Sequence, residues 1–191
     1  YAWVSYQTGW LKCHYPSEFQ AANLSCNLSK MDEIKKIMAD CKRHKIRVLN
    51  PDVNESDANF TVNKKGDIHF GMGGMKGFGA NIVDAIIKER EANGLFKDIY
   101  DFCERMSGTV NRKAMESLVY AGAFDSFGIA RSSYFQPGKS GAQFIDELMD
   151  YAAITKKNAE DDAASLFGEV EELKAEKPEP PVVTGEIDNL E

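Results

Sequence analysis

The 191-residue sequence contains no C-x-x-C pair. Its four cysteines (Cys13, Cys26, Cys41, Cys103) and three histidines (His14, His44, His69) are scattered. Zinc sites need four ligands at recurring spacings, so no metal centre is expected. The thiols read instead as reduced and mostly buried. No run of eighteen apolar residues occurs, so no membrane span is expected. The first residues lack the basic leader and cleavage site of a signal peptide, which points to a cytoplasmic protein. The Asn-x-Ser/Thr matches at Asn23, Asn27, Asn54 and Asn59 then read as chance. A start at Tyr1, in mid-pattern, suggests a piece of a longer chain. No paired carboxylates or nucleophile-base constellation occurs either, so no residue is assigned a catalytic role and no cofactor is expected within the chain.

Positive charge is also in short supply, with a net charge of -7. The deficit is local. Residues 157–191 hold eleven of the thirty acids and three of the twenty-three Lys and Arg. The body, residues 1–156, is therefore near neutral. It predicts no broad electrostatic attraction to nucleic acid, so any phosphate contact must be local.

What is present is mostly helical periodicity. Trp3, Tyr6, Trp10 and Cys13 form one apolar stripe over residues 1–14. Tyr15-Pro16 breaks it, and Pro16 fits the first turn of a second helix reaching Cys26. A third helix begins near Lys30 and carries Ile34, Ile37, Met38 and Cys41. The basic run Lys42-Arg43-His44-Lys45 closes it, which suits the negative end of a helix dipole. Residues 46–49 read as a strand. Phe60 and Val62, then Ile68 and Phe70, alternate around a turn at 63–67 and predict a β-hairpin. Helices follow over 80–91, 98–106, from a cap at Asn111 to Gly122, and 142–156. The fold class is mainly α with a small β-hairpin. The loop at 135–140 carries no pattern.

The most specific local signal is Lys76-Gly77-Phe78-Gly79, followed by Ala80, Asn81 and the apolar Val83, Ile86 and Ile87. Two helices meeting at a tight turn need glycine there. Without a Cβ, backbone N–H groups can approach a phosphate oxygen, and the following helix start favours an anion. Phe78 would anchor the turn and Lys76 would add a mobile charge. Lys76, Gly77, Phe78, Gly79, Ala80 and Asn81 are thus the candidate DNA-binding residues. The Gly-hydrophobic-Gly spacing matches the helix-hairpin-helix family, with Val83 where a small Ala is usual. The competing readings are an inert glycine turn and a dinucleotide fingerprint, whose spacing fails at Gly71-Met72-Gly73-Gly74.

The order of segments resembles the bacterial replicative DNA polymerase III alpha subunits. Residues Ala2-Trp3-Val4-Ser5-Tyr6-Gln7-Thr8 and His14-Tyr15-Pro16-Ser17-Glu18-Phe19 are similar to that family's fingers. Pro51-Asp52-Val53-Asn54 is similar to its connector, and Lys76-Gly77-Phe78-Gly79 to its hairpin. Asp101-Phe102-Cys103 and the stretch from Leu118 to Asp125 continue in the same order. The resemblance implies the end of the fingers over residues 1–50, and a tandem helix-hairpin-helix, clamp-binding domain over 51–156. It implies an acidic flexible tail over 157–191. It places Tyr6, Gln7 and Lys12 either near template and nucleotide or in ordinary helix packing. Gly122-Ala123-Phe124 is either a degenerate second hairpin or a helix-capping glycine.

The resemblance also implies a sliding-clamp peptide ending in Ser165-Leu166-Phe167, with Ala163 where Gln is usual. Leu166 and Phe167 would be its two apolar anchors. The implied partners are primer-template DNA, the sliding clamp and other replicative holoenzyme subunits. Polymerisation, with Mg2+ held by palm carboxylates, would reside in segments not found here. The alternative is a stand-alone helix-hairpin-helix repair module.

Overall fold

The computed structural model describes residues 1–75, 79–164 and 176–181. The chain divides into two compact units, Tyr1–Asp84 and Ala85–Glu191.

The first unit opens with α1 (Ala2–His14), α2 (Pro16–Cys26) and α3 (Met31–Arg43). Pro16 sits in the first turn of α2, where its missing N–H costs nothing. The aromatic stripe of α1 is real in spacing but buries no residue. Trp3 is 68% exposed and Trp10, tilted against His14 and Tyr15, is 43% exposed. The core is built by α2 and α3, through Ala21, Leu24, Ile34 and Cys41, which meet Phe60 and Ile68.

The expected hairpin is present. β2 (Thr61–Val62) pairs antiparallel with β3 (Ile68–His69). A third strand joins it: β1 (Val48–Leu49) runs parallel to β3, giving the order β1-β3-β2. The Asn63 side chain organises the hairpin turn, accepting from Lys65 N and Asp67 N at 2.9 and 3.0 Å. The glycines that follow serve packing. A Cβ on Gly71 would lie 2.6 Å from Asn59 C, and one on Gly73 would lie 2.7 Å from Ala58 O. Met72 N donates to Asp57 O and Gly73 N to Ala58 O, on the same irregular stretch before β2.

Lys45 ends α3 in an unexpected way. Ile46 N donates to Cys41 O at 2.9 Å and Lys45 N to Lys42 O at 3.2 Å. This is a Schellman turn, and Lys45 holds its left-handed position at φ 59. It is the one non-glycine residue with positive φ among the described residues. Glycine is the default there, and a side chain costs about 1 kcal/mol.

Helix α4 (Ala80–Asn93) crosses the division between the units. The second unit continues with α5 (Ile99–Arg105), α6 (Arg112–Ala121) and α7 (Phe144–Ala164). Asp98 and Asn111 cap α5 and α6, accepting from Asp101 N and Ala114 N at 2.8 and 2.9 Å. An aromatic chain fills the core: Phe96, Phe102, Phe124, Tyr134 and Phe144 follow at centroid spacings of 4.9 to 6.0 Å. Such tilted pairs add specific ring contacts to apolar burial.

Arg105 locks the end of α4 to α5. Its Nε bonds Glu89 at 2.9 Å, its Nη2 bonds the Glu89 and Gly94 carbonyls at 3.0 Å, and its guanidinium lies 4.4 Å from the Phe96 centroid. The Glu89 carbonyl in the last turns of α4 and the Gly94 carbonyl just past its end thus gain a charged donor.

Two features depart from expectation. First, α7 runs to Ala164 rather than ending near Lys156. Residues 157–164 hold neither Gly nor Pro and are rich in Ala, so acidity alone does not stop the helix. Second, the proline-rich residues 176–181 are irregular, as expected, but they are seated on this unit. Tyr100 Oη donates to Pro178 O at 2.5 Å, and the Lys177 ammonium lies 4.0 Å from the Tyr100 centroid. Lys139 pairs with Glu179 at 2.7 Å. The patternless loop at 135–140 is closed by a bridge between Pro137 and Gln143 and by Glu147, which accepts from Ser140 N at 2.8 Å.

Candidate nucleic-acid interface

Of the six candidate DNA-binding residues, Lys76, Gly77 and Phe78 lie outside the described residues. Gly79 and Asn81 are exposed, and Ala80 begins α4. Gly79 O accepts from Ile82 N and Val83 N at 3.0 and 3.4 Å, so the helix is wound from its first turn. Among the described residues nothing lies within 4 Å of a Cβ built on Gly79. Val83 and Ile86 are buried at 1% and 0% exposure, so α4 has the apolar side that the pattern required.

Gly122 does not open an approach of that kind. It is a helix cap: Ala123 N donates to Leu118 O at 2.9 Å and Gly122 N to Val119 O at 3.0 Å, with φ 81 at the glycine. Its open side is filled by the Arg131 guanidinium, which bonds Asp125 through Nε at 2.9 Å. Of the two readings of Gly122-Ala123-Phe124, the described geometry fits the capping one.

The clamp-peptide residues Ser165, Leu166 and Phe167 also lie outside the described residues. In the fingers-like segment, Tyr6 and Gln7 are exposed on α1, and Lys12 pairs with Asp40 at 3.1 Å. That hydrogen bond, with those from Gln20 and Arg43, holds the Asp40 carboxyl below the usual carboxylate range. Among the described residues no group of three or more His, Cys, Asp or Glu could hold a metal ion. Cys41 and Cys103 are buried, and burial pushes the Cys103 thiol up to about 12. Cys13 and Cys26 are exposed, against the expectation of mostly buried thiols. Among the described residues no helix is long and apolar enough to cross a membrane.

Sequence reasoning missed the seat for residues 176–181 at Tyr100 and Asp98, whose Oδ2 lies 3.5 Å from Lys177 Nζ. A tyrosine beside a helix cap carries no pattern of its own. The signal that existed was Lys177-Pro178-Glu179, a charged extended segment standing out from the acidic run before it.

Comparison with known proteins fits this architecture. A family model described as a helix-hairpin-helix motif matches residues 45–134. DNA polymerase III subunit alpha of Pasteurella multocida is 37% identical over 169 residues, covering 88% of this chain and 14% of that relative. The subunit of the same name from Escherichia coli K12 is 35% identical over 180 residues, covering 94% of this chain and 15% of the relative. That from Neisseria meningitidis serogroup A is 44% identical over 127 residues, covering 66% and 11%. The chain thus spans about one-seventh of the length of the curated relatives it matches. Through that stretch, which includes the helix-hairpin-helix motif, the chain belongs to the bacterial DNA polymerase III alpha-subunit family.

Proposed function

We propose that the chain serves template-directed DNA synthesis as part of a polymerase III alpha subunit, by gripping duplex backbone and tethering the enzyme to its sliding clamp. The observation that carries this reading is the identity of 35% over 94% of the chain to a polymerase subunit. That identity runs well outside residues 45–134, which favours a polymerase segment over a stand-alone repair module. In this reading residues 1–50 end the fingers and residues 51–156 form the helix-hairpin-helix and clamp-binding domain. Residues 157–191 are the tail. The protein works in the cytoplasm beside other replicative holoenzyme subunits. Nucleotide transfer and the Mg2+ ions it needs belong to the palm of the whole polymerase.

The DNA grip is sequence-independent. The N–H groups at the start of α4, preceded by Lys76, Gly77, Phe78 and Gly79, meet phosphate oxygens rather than base edges. The tether is Ser165-Leu166-Phe167, whose two apolar side chains enter a pocket on the clamp ring. Tethering then raises the local concentration of enzyme at the primer end.

Two measurements test these roles separately. In fluorescence anisotropy with mixed-sequence duplex, Gly77→Val/Gly79→Val should weaken binding while circular dichroism stays unchanged. Equal affinity in a folded variant refutes the grip. By calorimetry against purified clamp, Leu166→Ala/Phe167→Ala should abolish the binding heat, and an unchanged titration refutes the tether.

A further inference from the structure

Among the described residues of the first unit, Lys30, Lys35, Lys42, Lys45, Lys64 and Lys65 form no salt bridge, and Lys42, Lys45, Lys64 and Lys65 are the four that bear on one surface. All four are exposed. They are far apart in sequence, but the sheet brings them to one end. Because β1 runs parallel to β3, the start of β1 lies beside the hairpin turn that precedes β3. Ile68 N donates to Arg47 O at 2.9 Å, and Arg47 bonds Asp67 through Nε and Nη2 at 2.8 and 2.7 Å. The end of α3 and the tip of the turn thus flank one Arg-Asp clasp.

The charge at this end is unbalanced. It carries Lys12, Lys42, Arg43, Lys45, Arg47, Lys64 and Lys65 against Glu18, Asp40 and Asp67. Glu18 follows Ser17, whose hydroxyl donates to Gly66 O at 2.7 Å and so ties the start of α2 to the turn. Lys12 and Arg43 are taken by Asp40, and Arg47 by Asp67. The Asp67 carboxyl is held below the usual range by that hydrogen bond. What remains free is four ammonium groups. Lys42, Lys45 and Arg47 also rim an open cleft floored by Met38, Ile46 and Val48.

Lys45 supplies a second argument. It occupies the left-handed position of the α3 Schellman turn, where glycine would relieve backbone strain. The turn requires the left-handed backbone but not a lysine there, and a side chain kept at that cost points to a task for it.

We infer that this lysine-rich end of the first unit is a second backbone-binding surface, whose ligand is the phosphate backbone of duplex DNA. Unpaired ammonium groups on a convex turn and an open cleft suit a row of phosphates, and they carry no planar or bidentate group for reading bases. The choice of DNA as the polyanion rests on the proposed role in DNA synthesis. The surface lies apart in sequence from Lys76–Asn81, so the two contacts can be separated.

The test uses the whole 191-residue chain and fluorescence anisotropy on two unrelated duplexes over a salt series. Each lysine that neutralises a phosphate contributes about 0.9 to the slope of log K against log salt. Lys42→Gln/Lys45→Gln/Lys64→Gln/Lys65→Gln should therefore lower the slope by roughly 3 to 4 on both duplexes. A control with the same charge change, Lys35→Gln/Lys88→Gln/Lys97→Gln/Lys113→Gln, should lower it much less. An unchanged slope in the first variant, or an equal drop in both, overturns the inference. So does a loss confined to anionic vesicles. If the first variant loses binding and Gly77→Val/Gly79→Val does not, the surface stands and the hairpin grip fails; the reverse result sinks the surface alone. No binding by the unaltered chain ends both. Lys45→Gly adds a readout that a purely structural role would not give: the melting temperature should rise while DNA affinity falls. A rise with no change in affinity counts against the inference.

Discussion

The Gly122 cap can be dissected because a second glycine serves as its control. Gly122 has φ 81 and Gly128 has φ 74, so alanine at either site meets the same left-handed penalty. That penalty is about 1–2 kcal/mol. Around Gly128 nothing lies within 4 Å of a Cβ, whereas at Gly122 the new methyl would lie 2.1 Å from Arg131 Nη2. The guanidinium is the far end of a flexible side chain, so it moves away. In moving it gives up the bonds to Asp125, which are partly exposed at 43% of that side chain, and the 3.4 Å bond to Tyr120 O. An exposed pair of this kind contributes at most about 1 kcal/mol. Gly128→Ala should therefore cost about 1–2 kcal/mol and Gly122→Ala about 2–3 kcal/mol. Amide exchange of Leu118 and Val119, both buried in this unit, reads the loss directly. In an Arg131→Ala background the Asp125 carboxylate, whose Oδ2 lies 2.7 Å from the new methyl, is released from the guanidinium and free to swing aside, so the two glycine substitutions should cost the same. Equal costs with Arg131 in place, or a difference that survives its removal, would refute the assignment of the extra loss to the guanidinium.

Arg105→Met should destabilise the second unit by about 2–4 kcal/mol in urea, because Glu89 loses its partner and two carbonyls lose a donor. Arg105→Lys should recover less than half, since one ammonium cannot serve those sites together; full recovery would refute the clasp. Acid should weaken both units. Arg105 and Asn93 hold Glu89, and Arg47 holds Asp67, below the usual carboxylate range. A carboxyl depressed by folding stabilises above its unfolded pKa, about 4, and loses that contribution as pH falls through the folded value. Thermal midpoints should be flat from pH 5 to 7 and fall below about pH 4, with a shallower fall in Glu89→Gln.

Much of the helical skeleton was legible because its punctuation is local. Pro16, Asn111 and Gly122 act within a turn of their own positions, and each marks the boundary that the sequence suggested. The hairpin was legible from alternation around residues 63–67. The strand read at residues 46–49 is present as β1, but its parallel pairing with β3 was not legible, since two residues carry no periodicity and their partner lies twenty positions away. The packing role of Gly71 and Gly73 was hidden for a related reason. Their need for glycine comes from the backbone of residues 58–59, a distant approach that resembles a ligand loop in one dimension. The run at 42–45 was read as a complement to the helix dipole, which is correct for Arg43 and incomplete for Lys45. Only the backbone angle at Lys45 and the return of the hairpin turn reveal the shared surface. At the candidate hairpin, α4 starts at Ala80 as the spacing suggested, while the turn residues 76–78 are not described.

The seat of residues 176–181 has a kinetic consequence. Helix α7 ends at Ala164, and farther along the chain Pro178 and Glu179 are held by Tyr100 and Lys139. A covalently attached segment competes for Asp98 and Tyr100 as an intramolecular ligand, at an effective concentration in the millimolar range. Any other peptide that used this surface would need better than millimolar affinity, or would have to wait for the segment to dissociate. Occupancy of the Tyr100 face is thus set by a unimolecular docking equilibrium, which does not change as the protein is diluted.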